Sequence, residues 1–465
     1  MGSKPSMAED SSMTSYAAPK NLLAPANQSK AKAAVAIALL SGVLAALVRW
    51  YFVTHAQVLQ PLYRESGWGD AGDYYRYAWN LIHHGVFSPD VPSAANPRPD
   101  TFRDPAYPVF LALGMAVTDN YGRWYAVVLL TQALLGGVTV TCATLAVRDA
   151  IPTRLLAPYA ATLVLWPHLV AIPAYVLSEN LTALFCALTA LALSEASQRR
   201  SPAYASAGGL ALALASLTNA VLAPLFIPIA LALGWKRLMP RQHILVFIVV
   251  AATPILAWGI RNSTIQGQFS PLFRAEINLV QGSWPTYHTA SQLWERHDPA
   301  GMQTIDAINL EIAALHSDRV LGLELMGQRM GRAPGTYLAW YLGKPGLLWG
   351  WEIGLGAGGI YPYPTRNSPF ITNPVMKAVE AVTFTFNGVL AMLALAGVIV
   401  VGAQRRPSTA MLTFALTALW VTVVYGVLQS DARYSIPYRT GEVALACAAV
   451  AAAVSWARRV RAVPQ

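Results

Sequence analysis

Long apolar runs, joined by short basic connections and by two longer polar stretches, set the pattern of this chain. A helix needs about 20 mostly apolar residues to cross a bilayer. Segments 33–52, 125–147, 155–172, 179–193, 203–217, 220–233, 244–260, 379–401, 411–428 and 436–456 approach that length. They predict an all-α polytopic membrane protein with about ten transmembrane helices. Segment 220–233 carries Pro224 and Pro228, which a span tolerates where neighbouring helices or waters satisfy the freed carbonyls.

Composition agrees with this reading. Hydrophobic residues make up 55% of the 465 positions and charged ones 12%, against roughly 25% charged in soluble domains. The cations are placed with a bias: Arg148, Arg154, Arg199, Arg200, Lys236, Arg237, Arg241, Arg405, Arg406, Arg458, Arg459 and Arg461 all fall at alternate span ends. Positively charged loops stay cytoplasmic, so both termini are read as cytoplasmic. The net charge of +10 is then an orientation signal. It forms no continuous basic face of the kind nucleic acid requires.

Most remaining acids fall in two loops on the other side, 54–124 and 261–377. The resulting organisation is a disordered cytoplasmic tail at 1–29, a transmembrane module at 30–260, a large outer-face loop domain at 261–377 and C-terminal transmembrane helices at 378–465. Within the larger loop, 304–331 reads as helical, and the aromatic stretch 334–351 suits a membrane interface. Segment 107–117 is too short to span and reads as a second interfacial helix. The tail has no clear cleavage site, and the apolar run after it is longer than a signal h-region. Cys142, Cys186 and Cys447 lie in spans and imply no disulfide. His83, His84, His288, His297 and His316 lack metal-ligand spacing and read as solvated.

Carboxylates and arginines at the outer helix ends suit a reaction in which a lipid phosphate leaves and a hydroxyl attacks. A carboxylate takes the attacking proton, and arginine stabilises the departing phosphate. Asp70 and Asp73, in Gly69-Asp70-Ala71-Gly72-Asp73-Tyr74, either serve that chemistry or cap a helix running to about His84. Glu179 in Leu177-Ser178-Glu179-Asn180 has the same two readings, and close approach to Asp70 would raise one of the two pKa values. Arg433 in Ala432-Arg433-Tyr434-Ser435 and Arg261 in Trp258-Gly259-Ile260-Arg261-Asn262 either hold phosphate or snorkel to headgroups. A divalent ion can be held by carboxylate oxygens, but no acidic cluster is dense enough to demand one.

In order and side, these stretches, with Phe102-Arg103-Asp104-Pro105-Ala106-Tyr107-Pro108, resemble the GT-C glycosyltransferases. The similarity is to the protein mannosyltransferase-like, aminoarabinose transferase-like and rhizobial galacturonosyl transferase-like members, and it covers about 33–456. The resemblance implies an inverting transfer of a sugar from a polyprenyl-phosphate carrier to an envelope lipid, glycan or protein at the outer face of a bacterial inner membrane, with no cofactor required. It implies Asp70 as general base or acceptor-orienting carboxylate, Asp73 as its neighbour and Glu179 as the second acidic position. Arg433, with Arg103 and Arg261 behind it, would hold the carrier phosphate, supported by Tyr434 and Tyr107. Asp104, an acid beside Arg103, departs from what a phosphate site wants.

Two other classes remain open at this point. A transporter or lipid flippase would use membrane-embedded charges such as Arg49 and Glu442, although no repeated halves are visible and the charges gather on one face. A non-catalytic subunit of an envelope assembly would keep the fold without the chemistry, against which the presence of Asp70 and Glu179 argues.

Overall fold

The structure, a computed structural model, describes residues 25–60, 62, 69–118, 120–265 and 271–461. Most of the expected N-terminal tail therefore lies outside the described residues, and the first helix already begins at Pro25. The helices are α1 (Pro25–His55), α2 (Asp70–His84), α3 (Ala106–Val117), α4 (Tyr121–Val147), α5 (Thr153–Leu165), α6 (Pro167–Ala171), α7 (Glu179–Arg199), α8 (Pro202–Thr218), α9 (Phe226–Trp235) and α10 (Arg241–Ser263). They are followed by α11 (Pro271–Gly282), α12 (Tyr287–Glu295), α13 (Pro299–Ser317), α14 (Arg319–Gly331), α15 (Pro334–Leu348), α16 (Pro369–Thr372), α17 (Pro374–Ala403), α18 (Thr409–Val427) and α19 (Arg439–Arg461).

All ten apolar segments of the sequence are helical. Among the described residues seven helices are long and apolar enough to cross a membrane, or eight if α5 and α6, bent by 53° at Trp166, make one span. The other two segments are shorter: α8 has 17 residues, and 220–235 pairs a 3-10 turn with α9 around Pro224. Large apolar side chains such as Leu39, Leu47, Met392 and Ile399 stand exposed on α1 and α17. In a bilayer that exposure faces lipid rather than water.

Contacts between connections sort the helix ends into two sets. Arg148 pairs with Glu195 at 2.6 Å, Ser197 donates to the Leu238 carbonyl, and Lys236 donates to the carbonyls of Gly402 and Gln404. At the opposite ends, residues from α2, the loop before α3, α7 and the loop after α18 meet. The alternation expected from the basic loops thus brings the same connections together in space.

Small residues let the backbones approach closely, as membrane helices do. Gly137 on α4 lies so near α1 that a Cβ there would meet the Gly42 carbonyl at 2.6 Å. The two embedded charges singled out in the sequence are tied into this packing. Arg49, 1% exposed, donates to the Leu163 and Val164 carbonyls beside the α5–α6 bend. Glu442 accepts from Arg439 at 2.7 Å, and Arg439 also donates to the Gly350 carbonyl. Both charges answer backbone or ionic needs of the fold, and neither lies along the large cavity described below.

The long 261–377 connection folds as a helical roof over one end of the bundle. Asp298 and Asp318 cap α13 and α14 by accepting from backbone N–H groups of the first turn, which divides the expected 304–331 helix in two. The roof has its own core of Val280, Ile308, Ile312, Leu315 and Met326. Beside it Arg329 grips both oxygens of Glu311 at 2.7 and 2.9 Å and lies 4.3 Å from the Trp284 ring centroid. A two-residue antiparallel pairing, Gln57↔Arg366 and Val58↔Thr365, joins the first polar loop to the end of the second.

Gly397 gives a direct test of the packing, since an added Cβ would overlap the Leu445 carbonyl of α19, whereas at Gly388 on the same helix it would meet nothing within 4 Å. Gly397→Ala is expected to lose about 1–3 kcal/mol, the range for overpacked cores. Gly388→Ala should hold or raise stability through its better helix propensity. Unfolding midpoints of both variants in one detergent check the pair.

Candidate active site

The first turn of α2 places Asp70 and Asp73 one turn apart on a helix whose buried face is Ala71, Tyr74, Tyr75 and Ala78. Residues at this spacing are neighbours on a helix surface. Gly69 precedes the helix without a side-chain cap, and both aspartates turn to arginines instead of capping. Arg103 arrives on a loop braced by Asp100, whose carboxylate accepts from the Phe102 N–H and the Tyr77 hydroxyl. The Arg103 guanidinium reaches Asp70 at 2.8 Å and Asp73 at 2.5 Å.

Arg433 enters from the other end of the chain. Asp431 accepts from the Arg433 N–H at 2.8 Å and from the Leu355 N–H at 2.9 Å, fixing the turn on which Arg433 stands. Its Nε donates to Glu179 at 2.5 Å, and its Nη2 donates to the second oxygen of Asp70. With Arg76 on the far oxygen of Asp73 at 2.5 Å, the charges alternate along a ladder: Arg76, Asp73, Arg103, Asp70, Arg433, Glu179.

Arg433 thus stands between Glu179 and Asp70, so the expected repulsion between the two acids gives way to bridging. Burial by itself raises the Asp70 carboxyl, but the Arg103 and Arg433 guanidiniums outweigh it and hold Asp70 well below the ordinary carboxylate range. The expected upward shift is therefore corrected: Asp70 is held ionised. Its side chain is 26% exposed, whereas Glu179 is 7% exposed. Among the described residues Glu179 Oε2 is buried without a hydrogen-bond partner.

The ladder lines a cavity of about 1380 Å³, larger than the 300–1,000 Å³ usual for a single drug-sized ligand. Tyr434 also lines it, stacked on Tyr425 with centroids 4.9 Å apart. Two other sequence candidates stand apart. The buried Tyr107 donates to Gln132 at 2.8 Å, and Gln132 holds the carbonyls of Pro173 and Tyr175; Tyr107 thereby braces the turn leading to Glu179 from behind. Arg261 donates to the Asp100 carbonyl and lies over the Phe87 and Trp258 rings, away from Arg433 and Arg103.

Asp104 turns away from its neighbour Arg103. It pairs with Arg274 of α11 at 2.7 Å and accepts from the Ala220 N–H at 3.0 Å, so it leaves the Arg103 guanidinium to Asp70 and Asp73. Arg76, Arg274 and Tyr363, whose hydroxyl accepts from the Ala71 N–H, are members of the site that the sequence reading did not name. Arg76 had a local signal, three residues after Asp73. Arg274 and Tyr363 had none, because their partners lie 170 and 292 residues away.

Lys344 secures the roof beside the site. Fully buried, it donates to the Gly282, Val427 and Leu428 carbonyls, where helix ends present unsatisfied acceptors. Burial lowers its ammonium to about 8. His288, expected to be solvated, is half-buried, and its ring packs so close to Gly354 that an added Cβ there would meet Nδ1 at 2.6 Å. Among the described residues no three His, Cys, Asp or Glu side chains come together as metal ligands. Asp70, Asp73 and Glu179 are each engaged by arginine.

No family model and no curated protein matches the sequence. The structure is similar to the Archaeoglobus fulgidus oligosaccharyltransferase tethered with an acceptor peptide, at TM-score 0.46 and 15% identity over 92% of this chain and 51% of that one. It is also similar to the archaeal oligosaccharyltransferase AglB from Archaeoglobus fulgidus in complex with an inhibitory peptide and a dolichol-phosphate, at TM-score 0.47 and 16% identity over 92% and 52%. A third likeness is to ArnT from Cupriavidus metallidurans bound to undecaprenyl phosphate, at TM-score 0.39 and 14% identity over 90% and 78%. The chain spans about half the length of the oligosaccharyltransferase chains.

The lowered Asp70 pKa has a sign that can be measured. A carboxylate whose folded pKa lies below its unfolded value of about 3.9 stabilises the fold fully above that unfolded value, and the contribution is lost progressively as pH falls from there through the folded pKa. Wild type should lose unfolding temperature on acidification below about pH 4, and Asp70→Asn should lose less over the same range. Thermal unfolding of both proteins across that range checks the slope.

Proposed function

We propose that this protein is a glycosyltransferase that moves a sugar from a polyprenyl-phosphate carrier to an acceptor hydroxyl on an envelope glycan, lipid or protein, with inversion. The observation that carries the reading is the pair of contacts made by Asp70. One carboxylate touches two guanidiniums, Arg103 and Arg433, on the wall of a cavity with room for more than one ligand. An inverting displacement needs the base and the phosphate on opposite faces of the sugar, so a donor that enters this cavity must part Asp70 from its arginines.

In the proposed step the acceptor oxygen attacks the anomeric carbon from the face opposite the phosphate. The carbon–oxygen bond to phosphate breaks, its electron pair leaves with the carrier phosphate, and the acceptor proton passes to Asp70. Arg433 and Arg103 stabilise the charge that develops on the phosphate. The ladder balances three guanidiniums against three carboxylates, so an entering phosphate competes with Asp70 for its arginines. As that phosphate draws Arg433 away, Asp70 loses the charge that lowers its pKa and becomes the stronger base. Glu179 then keeps Arg433 in place through Nε. Tyr434 lines the same wall.

The acidic ladder lies at the bundle end opposite the basic connections, which supports an active site on the extracytoplasmic side of a bacterial inner membrane by the charge rule. The transporter reading is less favoured, because Arg49 and Glu442 are committed to backbone carbonyls and to Arg439.

Transfer from radiolabelled polyprenyl-phosphate sugars to an envelope extract, by protein in nanodiscs, tests the assignment. Folded Asp70→Asn should fall by about 100-fold or more, the lower range of general-base catalysis, and Arg433→Ala should raise the donor KM. Transfer that persists undiminished in Asp70→Asn would overturn Asp70 as the base.

A further inference from the structure

The cavity has two walls of opposite character. The bundle side carries the ionic ladder, while the roof side carries an apolar floor that includes Phe273, Ile277 and Ile305, with Gln281, Tyr287, Ser291, Trp294 and Asn309 beside it. Among the described residues the roof brings one charged side chain to the cavity, Arg274, and Asp104 neutralises it at 2.7 Å.

Trp294 is 44% exposed although it lines a cavity, so a broad aromatic face is left open to a ligand. The amide and hydroxyl groups of Gln281, Asn309 and Ser291 are free of hydrogen-bond partners among the described residues. Amides both donate and accept. An aromatic face among unengaged amides and hydroxyls, without net charge, matches a ligand with apolar C–H faces and a ring of hydroxyls. A phosphorylated or acidic ligand would meet no unpaired cation on this wall, and an extended peptide would find no strand edge there among the described residues.

We infer that the roof wall of the cavity is a binding subsite for an uncharged saccharide, which Trp294 stacks against and Gln281 and Asn309 hydrogen-bond. Its role as the acceptor subsite rests on the transferase reading; saccharide binding does not. The same sugar chemistry is offered by a free glycan and by a glycolipid headgroup.

Nanodisc-held protein should retain a delipidated neutral envelope-glycan fraction, an envelope glycolipid fraction, or both. Retention of glycolipid alone would assign a lipid-borne sugar, and retention of both would assign the headgroup. Periodate oxidation followed by borohydride reduction, which destroys vicinal diols, should abolish retention. Trp294→Ala should weaken it about tenfold, the loss typical of a truncated aromatic anchor, and Gln281→Ala should weaken it as well. Retention that survives periodate, that is equal in wild type and both variants, that is confined to an envelope protein fraction, or that is absent from every fraction would overturn the subsite. A transfer assay on the same wild-type protein separates the two readings: glycan retention without transfer would sink the transferase and leave the saccharide subsite standing.

Discussion

The bridge that Arg433 makes between Glu179 and Asp70 is the contact on which the site depends. A lone buried carboxylate or guanidinium costs several kcal/mol, and here neither acid is left without a cation. The bridge joins the start of α7, the first turn of α2 and the turn after α18. Arg103 and Arg76 extend the same logic to Asp73. Geometry and charge state are set together: the arrangement that holds three elements in register also keeps Asp70 ionised.

Around that bridge the fold supplies further bracing. Tyr107 and Gln132 set the turn before Glu179, Asp431 sets the turn before Arg433, and Lys344 holds α15 and the end of α11 to the end of α18. Such supporting contacts fix the side chains of the ladder more closely than those side chains could fix themselves. The roof adds a mainly apolar wall with a few amides and hydroxyls opposite the charged one, so the cavity has an ionic side and a side whose one cation, Arg274, is paired with Asp104.

Much of this was legible in the residues. Apolar periodicity located every long helix, because bilayer thickness imposes a length that few other constraints imitate. Asp70, Asp73, Glu179, Arg103, Arg433 and Tyr434 could be named because each stands in a short local pattern at a helix end. The reading faltered where tertiary partners decide. Tyr107 and Arg261 carry the right chemistry, yet Gln132 and the Asp100 carbonyl claim their polar groups. Asp104 looked discordant beside Arg103 because Arg274, which neutralises it, is 170 residues away. The lowering at Asp70 was not foreseen for the same reason: two acids suggested that one of them would be raised by repulsion, and the cation that stands between them follows Glu179 by 254 residues.

The sequence distances in the ladder bear on how the protein is made. Arg433 follows Glu179 by 254 residues and Asp70 by 363. At synthesis rates of about 5–20 residues per second, a 363-residue gap corresponds to roughly 20–70 s. Through that interval Asp70 and Glu179 stand without the cation that later joins them. A chain cut short before residue 433 can insert most of the helices described above and still lack the bridge, so the ionic ladder closes only after its helical supports have been made.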